Sequence, residues 1–134
     1  MIGLDTNLLV RYLAQDDAPQ SALATALIET HLCADQPGCV SNPVLAELHW
    51  VLAQLYGVDR PRFADIARGL LTAHALRFDN LRAAWSALRA FEDGHDFVAA
   101  LLAELAHDAG CETTVTFDRR LAAHPKASLL TAER

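Results

Sequence analysis

The segment Ile2-Gly3-Leu4-Asp5-Thr6-Asn7 runs a short apolar strand directly onto a carboxylate, and the helical pattern Leu8, Leu9, Tyr12, Leu13 follows at once. Near the other end, Thr113-Thr114-Val115-Thr116-Phe117 is β-rich by its branched and aromatic residues. It too meets an acid, Asp118, before the helix-prone Arg119-Arg120-Leu121. Strands that pass straight into helices favour parallel pairing, because parallel neighbours need a crossover element between them. In such sheets ligands bind outside the carboxyl ends of the strands, so Asp5 and Asp118 are candidates for a site. Aspartate is also a favoured N-cap, its side-chain oxygen accepting an otherwise unpaired N–H of the first helical turn. Both readings of these two residues stand at this point.

The pattern continues between them without a low-complexity linker or an internal repeat. Asp16-Asp17-Ala18-Pro19 supplies the acids and proline of a helix start, with Ala22, Leu23, Ala26 and Leu27 at helical spacing. Pro37-Gly38-Cys39-Val40 reads as a turn entering a strand, and Ser41-Asn42-Pro43 as the cap and first turn of the next helix. That helix has an apolar stripe of Val44, Leu45, Leu48, Val51, Leu52 and Leu55, and it stops at Gly57. Asp59-Arg60-Pro61 opens another helix, Ala75-Leu76-Arg77-Phe78 alternates like a strand, and Asp79-Asn80 caps a helix with Leu81, Trp85 and Leu88. A last long helix is expected from about Asp96 to Ala109, apolar enough to be buried, with Gly110 beyond its end. Trp50 and Trp85 read as packing residues. The expected class is α/β, with a short central, mainly parallel sheet covered by helices on both faces.

A chain of 134 residues with 52% hydrophobic content is long enough for one domain, expected to span 1–134. Its 11 Lys and Arg stand against 17 Asp and Glu, a formal charge of −6, which argues against a broad basic face that grips duplex DNA. Bound metal can invert the electrostatics of an acidic cleft, so the balance does not exclude a nucleic-acid substrate. Cys33, Cys39 and Cys111 show no paired spacing and sit in apolar surroundings, so reduced, buried thiols of a cytoplasmic protein are expected. With a strand beginning at residue 2 there is no signal-peptide pattern, and no apolar run has the length of a bilayer span.

Two further acids extend the candidate set. Glu47 lies at the rim of its helix's apolar stripe, about a turn beyond a helix start that follows a strand. Asp96 stands at the mouth of the most apolar helix, where an N-cap is the competing explanation. Several carboxylates at one place repel one another, and a divalent cation relieves that repulsion. Mg²⁺ and Mn²⁺ prefer carboxylate and water oxygens, a combination suited to hydrolysis of phosphodiesters. Other chemistries lack their residues: no H-E-x-x-H or Cys/His zinc spacing, no G-x-S-x-G, and no glycine-rich phosphate loop is present. An aspartate-nucleophile phosphohydrolase would want a second acid two residues after Asp5, where Asn7 stands.

Three segments, Leu4 to Leu13, Val44 to Leu52 and Gly110 to Arg119, together resemble PIN-domain proteins, specifically the VapC-type toxins of bacterial toxin-antitoxin pairs. The resemblance covers essentially the whole chain in the right order. It implies a three-layer α/β/α fold and cleavage of RNA dependent on Mg²⁺ or Mn²⁺. It also implies a homodimer and inhibition by a cognate VapB-like antitoxin. Asp5, Glu47 and Asp118 fall on the family's acidic positions; Asp5 and Asp118 are expected to hold the metal, and Asp96, off the family's position, is expected to join them as the remaining acid. Asn7 and Thr116 match the polar residues that support them through hydrogen bonds. Arg11, Arg119 and Arg120 are the basic residues expected to meet RNA phosphates.

The pattern departs at one place. Where close relatives carry Asp-Phe-x-Asp-Ala-Leu, this chain reads Asp96-Phe97-Val98-Ala99-Ala100-Leu101, so Ala99 replaces the usual acid and Asp96 lies one turn earlier on roughly the same face. Two readings follow: a nuclease in which Asp96 takes over the missing role, or a catalytically impaired PIN module that binds RNA or antitoxin without cutting.

Overall fold

The structure is a computed structural model in which residues 1–132 are described. These contain seven α-helices, one π-helical turn and five short strands, and all strand pairing among them is parallel. The α/β class and parallel pairing expected from the sequence are therefore present. The chain divides into two compact units, Met1–Leu81 and Arg82–Arg134.

In the first unit, β1 (Ile2–Gly3), β2 (Gly38–Val40) and β3 (Leu76–Phe78) form a sheet in that order. Ile2 stands level with Gly38, and Gly38 with Leu76, so all three strands finish at one edge. Each exit from that edge is marked by an oxygen-bearing side chain. Asp5 caps α1 (Thr6–Ala14), and Ser41 caps α3 (Asn42–Leu55) with Pro43 in its first turn. Asp79, read from the sequence as a cap for the helix after it, accepts the N–H of Asn42 at 3.1 Å and so ties the exit of β3 to the start of α3. Between β1 and β2, α2 (Ala18–Ala26) runs into the π-helical turn Leu27–His31, which the sequence did not announce. The α1–α2 corner closes with Gln15 in the left-handed region, its amide donating to the Tyr12 carbonyl at 2.7 Å and to Thr25 Oγ1 at 3.1 Å. α4 (Arg60–Leu71) follows α3 and is capped by Asp59. Phe63 of α4 meets the ring of His49 of α3 edge to face at 4.6 Å.

Burial follows the apolar stripes. Leu45, Leu48 and Leu52 are buried on α3, whereas Trp50 is 56% exposed. The reason is angular: Trp50 lies about 200° around the helix from Leu48 at roughly 100° per residue, on the opposite face. The expectation that it packs inside is corrected. The cysteines need the same correction, since Cys33 and Cys111 are exposed and Cys39 half-buried, all three as free thiols. Cys33 stands just after the π-helical turn and Cys111 just after a helix end, where the chain returns to the surface.

The second unit contains α5 (Leu81–Glu92) apart from its first residue, α6 (Phe97–Asp108), β4 (Thr114–Thr116), α7 (Arg119–Ala122) and β5 (Ala127–Leu129). Both long helices end in the same way. Gly94 donates to Phe91 and His95 to Ala90, while Gly110 donates to His107 and Cys111 to Ala106. Those paired bonds need a positive φ, supplied by Gly94 at 106° and Gly110 at 98°. α6 buries one face through Phe97, Ala100, Leu101 and Ala103 and leaves Leu102 half exposed, so it is less enclosed than its composition suggests. On the buried face sits Glu104. Its Oε2 accepts from Lys126 Nζ at 2.7 Å and from Arg82 at 3.0 Å, and its Oε1 faces Nε2 of buried His124 at 3.6 Å. His124 Nδ1 in turn accepts the N–H of Lys126 at 3.0 Å. Burial alone would raise the Glu104 carboxyl, but the hydrogen bonds and charges of Lys126 and Arg82 outweigh it and hold the group below the usual range. For His124 burial dominates and lowers the imidazole, against the opposing pull of Glu104.

Two expectations about stability follow. A Cβ on Gly38 would sit 2.7 Å from Leu4 Cδ1 and 2.8 Å from Leu32 Cδ1, and both leucines are core residues. Gly38→Ala should therefore cost about 1–3 kcal/mol by overpacking, read from the midpoint of a denaturant titration. The pH dependence has a definite sign. Both shifted groups bind their protons less readily when folded, so their contribution is present above the unfolded values. His124 should withdraw stability as pH falls below about 6.5, and Glu104 below about 4.5. His124→Asn, which keeps an acceptor for Lys126, should flatten the upper of these two falls in thermal melts taken from pH 8 to pH 5.

Candidate functional site

At the sheet edge of the first unit, strand register fixes the positions of two candidate acids. Leu4 N–H donates to the Cys39 carbonyl at 2.9 Å, which carries the β1–β2 pairing one residue further and sets Asp5 beside Ser41. Asp5 Oδ1 accepts the N–H of Leu8 at 2.9 Å. Its second oxygen receives no hydrogen bond from the described residues and the side chain is exposed, so one oxygen caps the helix and the other faces outward. α1 and α3 pack against each other as they leave adjacent strands. Glu47 is exposed on α3, six residues beyond the Ser41 cap, or about 9 Å along the axis. Because Cα–Cβ bonds tilt toward a helix N-terminus, its side chain leans back toward the sheet edge.

Asn7, in the first turn of α1, is exposed and its amide is unspent. Arg11 occupies a built setting. Its Nε donates to Gln20 Oε1 at 2.8 Å, and Nη1 is shared between Asp16 at 3.2 Å and Tyr56 Oη at 3.2 Å. Tyr56 Oη donates in turn to Asp16 Oδ2 at 2.7 Å. The Tyr56 hydrogen bond is the main reason that Arg11 holds its proton more tightly than usual and Asp16 more loosely. Arg11 is thus a fixed cation with Nη2 left over rather than a freely sweeping one. The contacts of Gln20, Asp16 and Tyr56 with Arg11 escaped the sequence reading; that of Tyr56 joins residues 45 apart, which no linear pattern signals.

In the second unit, Asp96 caps α6, its Oδ2 accepting the N–H of Ala99 at 2.8 Å. The capping explanation is therefore geometrically real, and the residue that lacks the usual acid supplies the N–H that Asp96 caps. Asp118 caps α7 through Oδ1 to the Arg120 N–H at 2.8 Å. Its own N–H donates to Thr116 Oγ1 at 2.9 Å. Thr116 thus braces the backbone of the acid rather than its carboxylate. Asp96 and Asp118 are both exposed, each with one oxygen unspent on the described protein. The side chains of Arg119 and Arg120 are exposed beside Asp118 and form no ion pair with the described residues.

Hard oxygen donors in this form fit Mg²⁺ or Mn²⁺, which take carboxylates together with water. Among the described residues, no group of three or more His, Cys, Asp or Glu side chains is arranged to hold an ion by itself. No helix among these residues is long and apolar enough to cross a membrane.

No curated protein matches the sequence. The PIN domain family matches residues 2–127, nearly the whole chain and every candidate acid within it. With strands that exit onto capped acids in parallel sheets, and a family match of that extent, the chain belongs to the PIN domain family.

Proposed function

We propose that this PIN domain is a cytoplasmic endoribonuclease toxin of the VapC type, dependent on Mg²⁺ or Mn²⁺. PIN domains are typically metal-dependent nucleases. The observation that carries the reading is the PIN family match over residues 2–127 with Asp5 and Asp118 at the ends of parallel strands, each capping a helix through one oxygen and exposed. The resemblance makes Asp5 and Asp118 ligands of the cation and we add Asp96 to them; the described residues contain no ready-made group of three ligands, so this set is part of the proposal. When bound, the cation supplies charge neutralisation on the phosphoryl oxygens and activation of water. Glu47 would orient the attacking water and take its proton as the water oxygen bonds to phosphorus, while the bond from phosphorus to the ribose oxygen breaks and that oxygen takes a proton from solvent. Asn7 binds and orients through its unspent amide. Thr116 keeps the Asp118 backbone in place, and Arg119 and Arg120 attract the phosphates of the strand.

Exposed apolar side chains support the partner assignments. Trp50 and Leu55 on α3 and Leu23 on α2 lie largely in solvent, and exposed apolar patches mark interaction surfaces. We assign them to a homodimer and to a VapB-like antitoxin that lays an amphipathic segment along the chain.

Purified protein incubated with bacterial RNA should cut it with Mn²⁺ and not with EDTA. Asp5→Asn should lower the rate about a hundredfold or more, since even outer partners of metal ligands cost about 10–100-fold. Cleavage that persists in EDTA, or in Asp5→Asn, would sink the reading. Asp96→Asn is the sharper variant, because Asn caps as well as Asp and leaves the melting temperature in place. It should abolish metal-dependent cleavage. If it is silent while Ala99→Asp raises Mn²⁺ affinity and rate, Asp96 is a cap alone. An unaltered chain that binds RNA tightly with no turnover in Mn²⁺ is instead the impaired module.

A further inference from the structure

The helix that Asp118 caps, α7, is only four residues long. Isolated helices shorter than about 12–15 residues are marginal in water, so α7 depends on what ties its two ends. Asp118 ties the first, its Oδ1 accepting the Arg120 N–H at 2.8 Å and its carbonyl accepting the Ala122 N–H at 3.0 Å. A turn ties the second. His124 N–H donates to the Leu121 carbonyl at 2.9 Å, and His124 Nδ1 accepts the Lys126 N–H at 3.0 Å. Lys126 carries the outward anchors: its carbonyl accepts the Thr114 N–H at the start of β4 at 3.0 Å, and its Nζ donates to Glu104 Oε2 of α6 at 2.7 Å.

The bond at Nδ1 exists in one protonation state only. An imidazole nitrogen accepts a hydrogen bond while it carries no proton, so neutral His124 keeps its proton on Nε2, which faces Glu104 Oε1 at 3.6 Å. Nδ1 is the nitrogen left to protonate. A proton there turns the acceptor into a donor and sets two N–H groups against each other across the turn. Beside the buried ring opens a cavity of about 500 Å³, lined by His95, Glu104, His124 and Lys126 together with Arg89 and Asp93 of α5. Burial opposes a charge on the ring most; Glu104 of α6, itself shared with Arg82 of α5, favours it, and His95 from the α5–α6 connection and Lys126 oppose it.

We propose that His124 is a positioning residue for Asp118: its neutral ring locks the turn after α7, and protonation of Nδ1 releases that turn, so that α7 and the Asp118 carboxylate lose their fixed direction while α6 stays folded. The lock itself is independent of the nuclease reading. It rests on that reading only where Asp118 is taken as a ligand of the cation.

Hydrogen exchange at single amides, followed by NMR on the full chain from pH 8 to pH 5, tests the lock. The Arg120, Ala122 and Lys126 N–H groups report the cap on Asp118, the helix and the turn. Their protection factors, corrected for the intrinsic rate, should lie about tenfold or more below that of Leu101 in α6, the mark of a local opening. The folded ring binds its proton less readily than the released one, so the lock is complete above the ordinary imidazole value and lost as pH falls. Protection at the three amides should therefore drop by up to about tenfold per pH unit below about 6.5. His124→Asn keeps an acceptor for Lys126 and takes no proton, so its protection should stay level; His124→Ala, with no acceptor, should be poorly protected at every pH. Protection equal to that of Leu101 overturns the proposal, and so does a fall that survives in His124→Asn. Mn²⁺ titrations read by water proton relaxation at pH 7.5 and 5.5 then address Asp118. Affinity should fall further in the unaltered chain than in His124→Asn, and equal falls overturn the positioning role. If no Mn²⁺ binds at either pH while the amides behave as expected, the nuclease reading fails and the lock stands.

Discussion

The arrangement depends on one repeated bond, a side-chain oxygen at a helix mouth accepting a backbone N–H of the first turn. Asp5, Asp17, Ser41, Asp59, Asp96 and Asp118 all make it. Each such bond is worth about 1 kcal/mol, but its geometric effect is larger than its energy. It sets the direction in which a helix leaves its loop, and so where the second oxygen of the carboxylate points. Capping and chemistry, which compete as explanations of an Asp in a sequence, are therefore compatible in the folded chain. A carboxylate has two oxygens and a cap uses one.

This explains why much of the fold was legible. Cap residues, prolines in first turns and glycines past helix ends are local signals, and they announced α3, α4, α6 and the β4–α7 junction within a residue or two. The positions of Asp5, Glu47, Asp96 and Asp118 came with them. What stayed hidden was long-range or patternless. β5 is three residues without alternation, and the π-helical turn at Leu27–His31 reads as ordinary helix. Tyr56 reaching Arg11, and Asp79 reaching Asn42, join residues 45 and 37 apart. Cys33, Cys111 and Trp50 show that an apolar residue at a turn or on the far side of a stripe stays outside.

Glu104 is the converse case, an acid on the buried face of α6 that the sequence would place in solvent. Desolvation costs such a pair or triad much of what Coulomb attraction returns, so Arg82 and Lys126 are better regarded as making its burial tolerable than as strengthening the unit. Its structural consequence is positional. Lys126 and His124 fall immediately after α7, and their bonds hold the turn that leads from Asp118 and α7 into β5. A group remote from any chemistry thereby restrains the segment that begins with a candidate ligand.

The wholly parallel pairing has a consequence for synthesis. β1 and β3 lie on either side of β2, and the first sheet lacks its third strand until Leu76–Phe78 has been made. At about 5–20 residues per second, the ribosome delivers that strand roughly 4–15 s after the first. Through that interval Asp5 and Glu47 belong to a nascent chain whose sheet edge is incomplete. Within this unit, the order of the strands along the messenger therefore delays completion of the sheet edge that carries Asp5 until most of the unit has been synthesised.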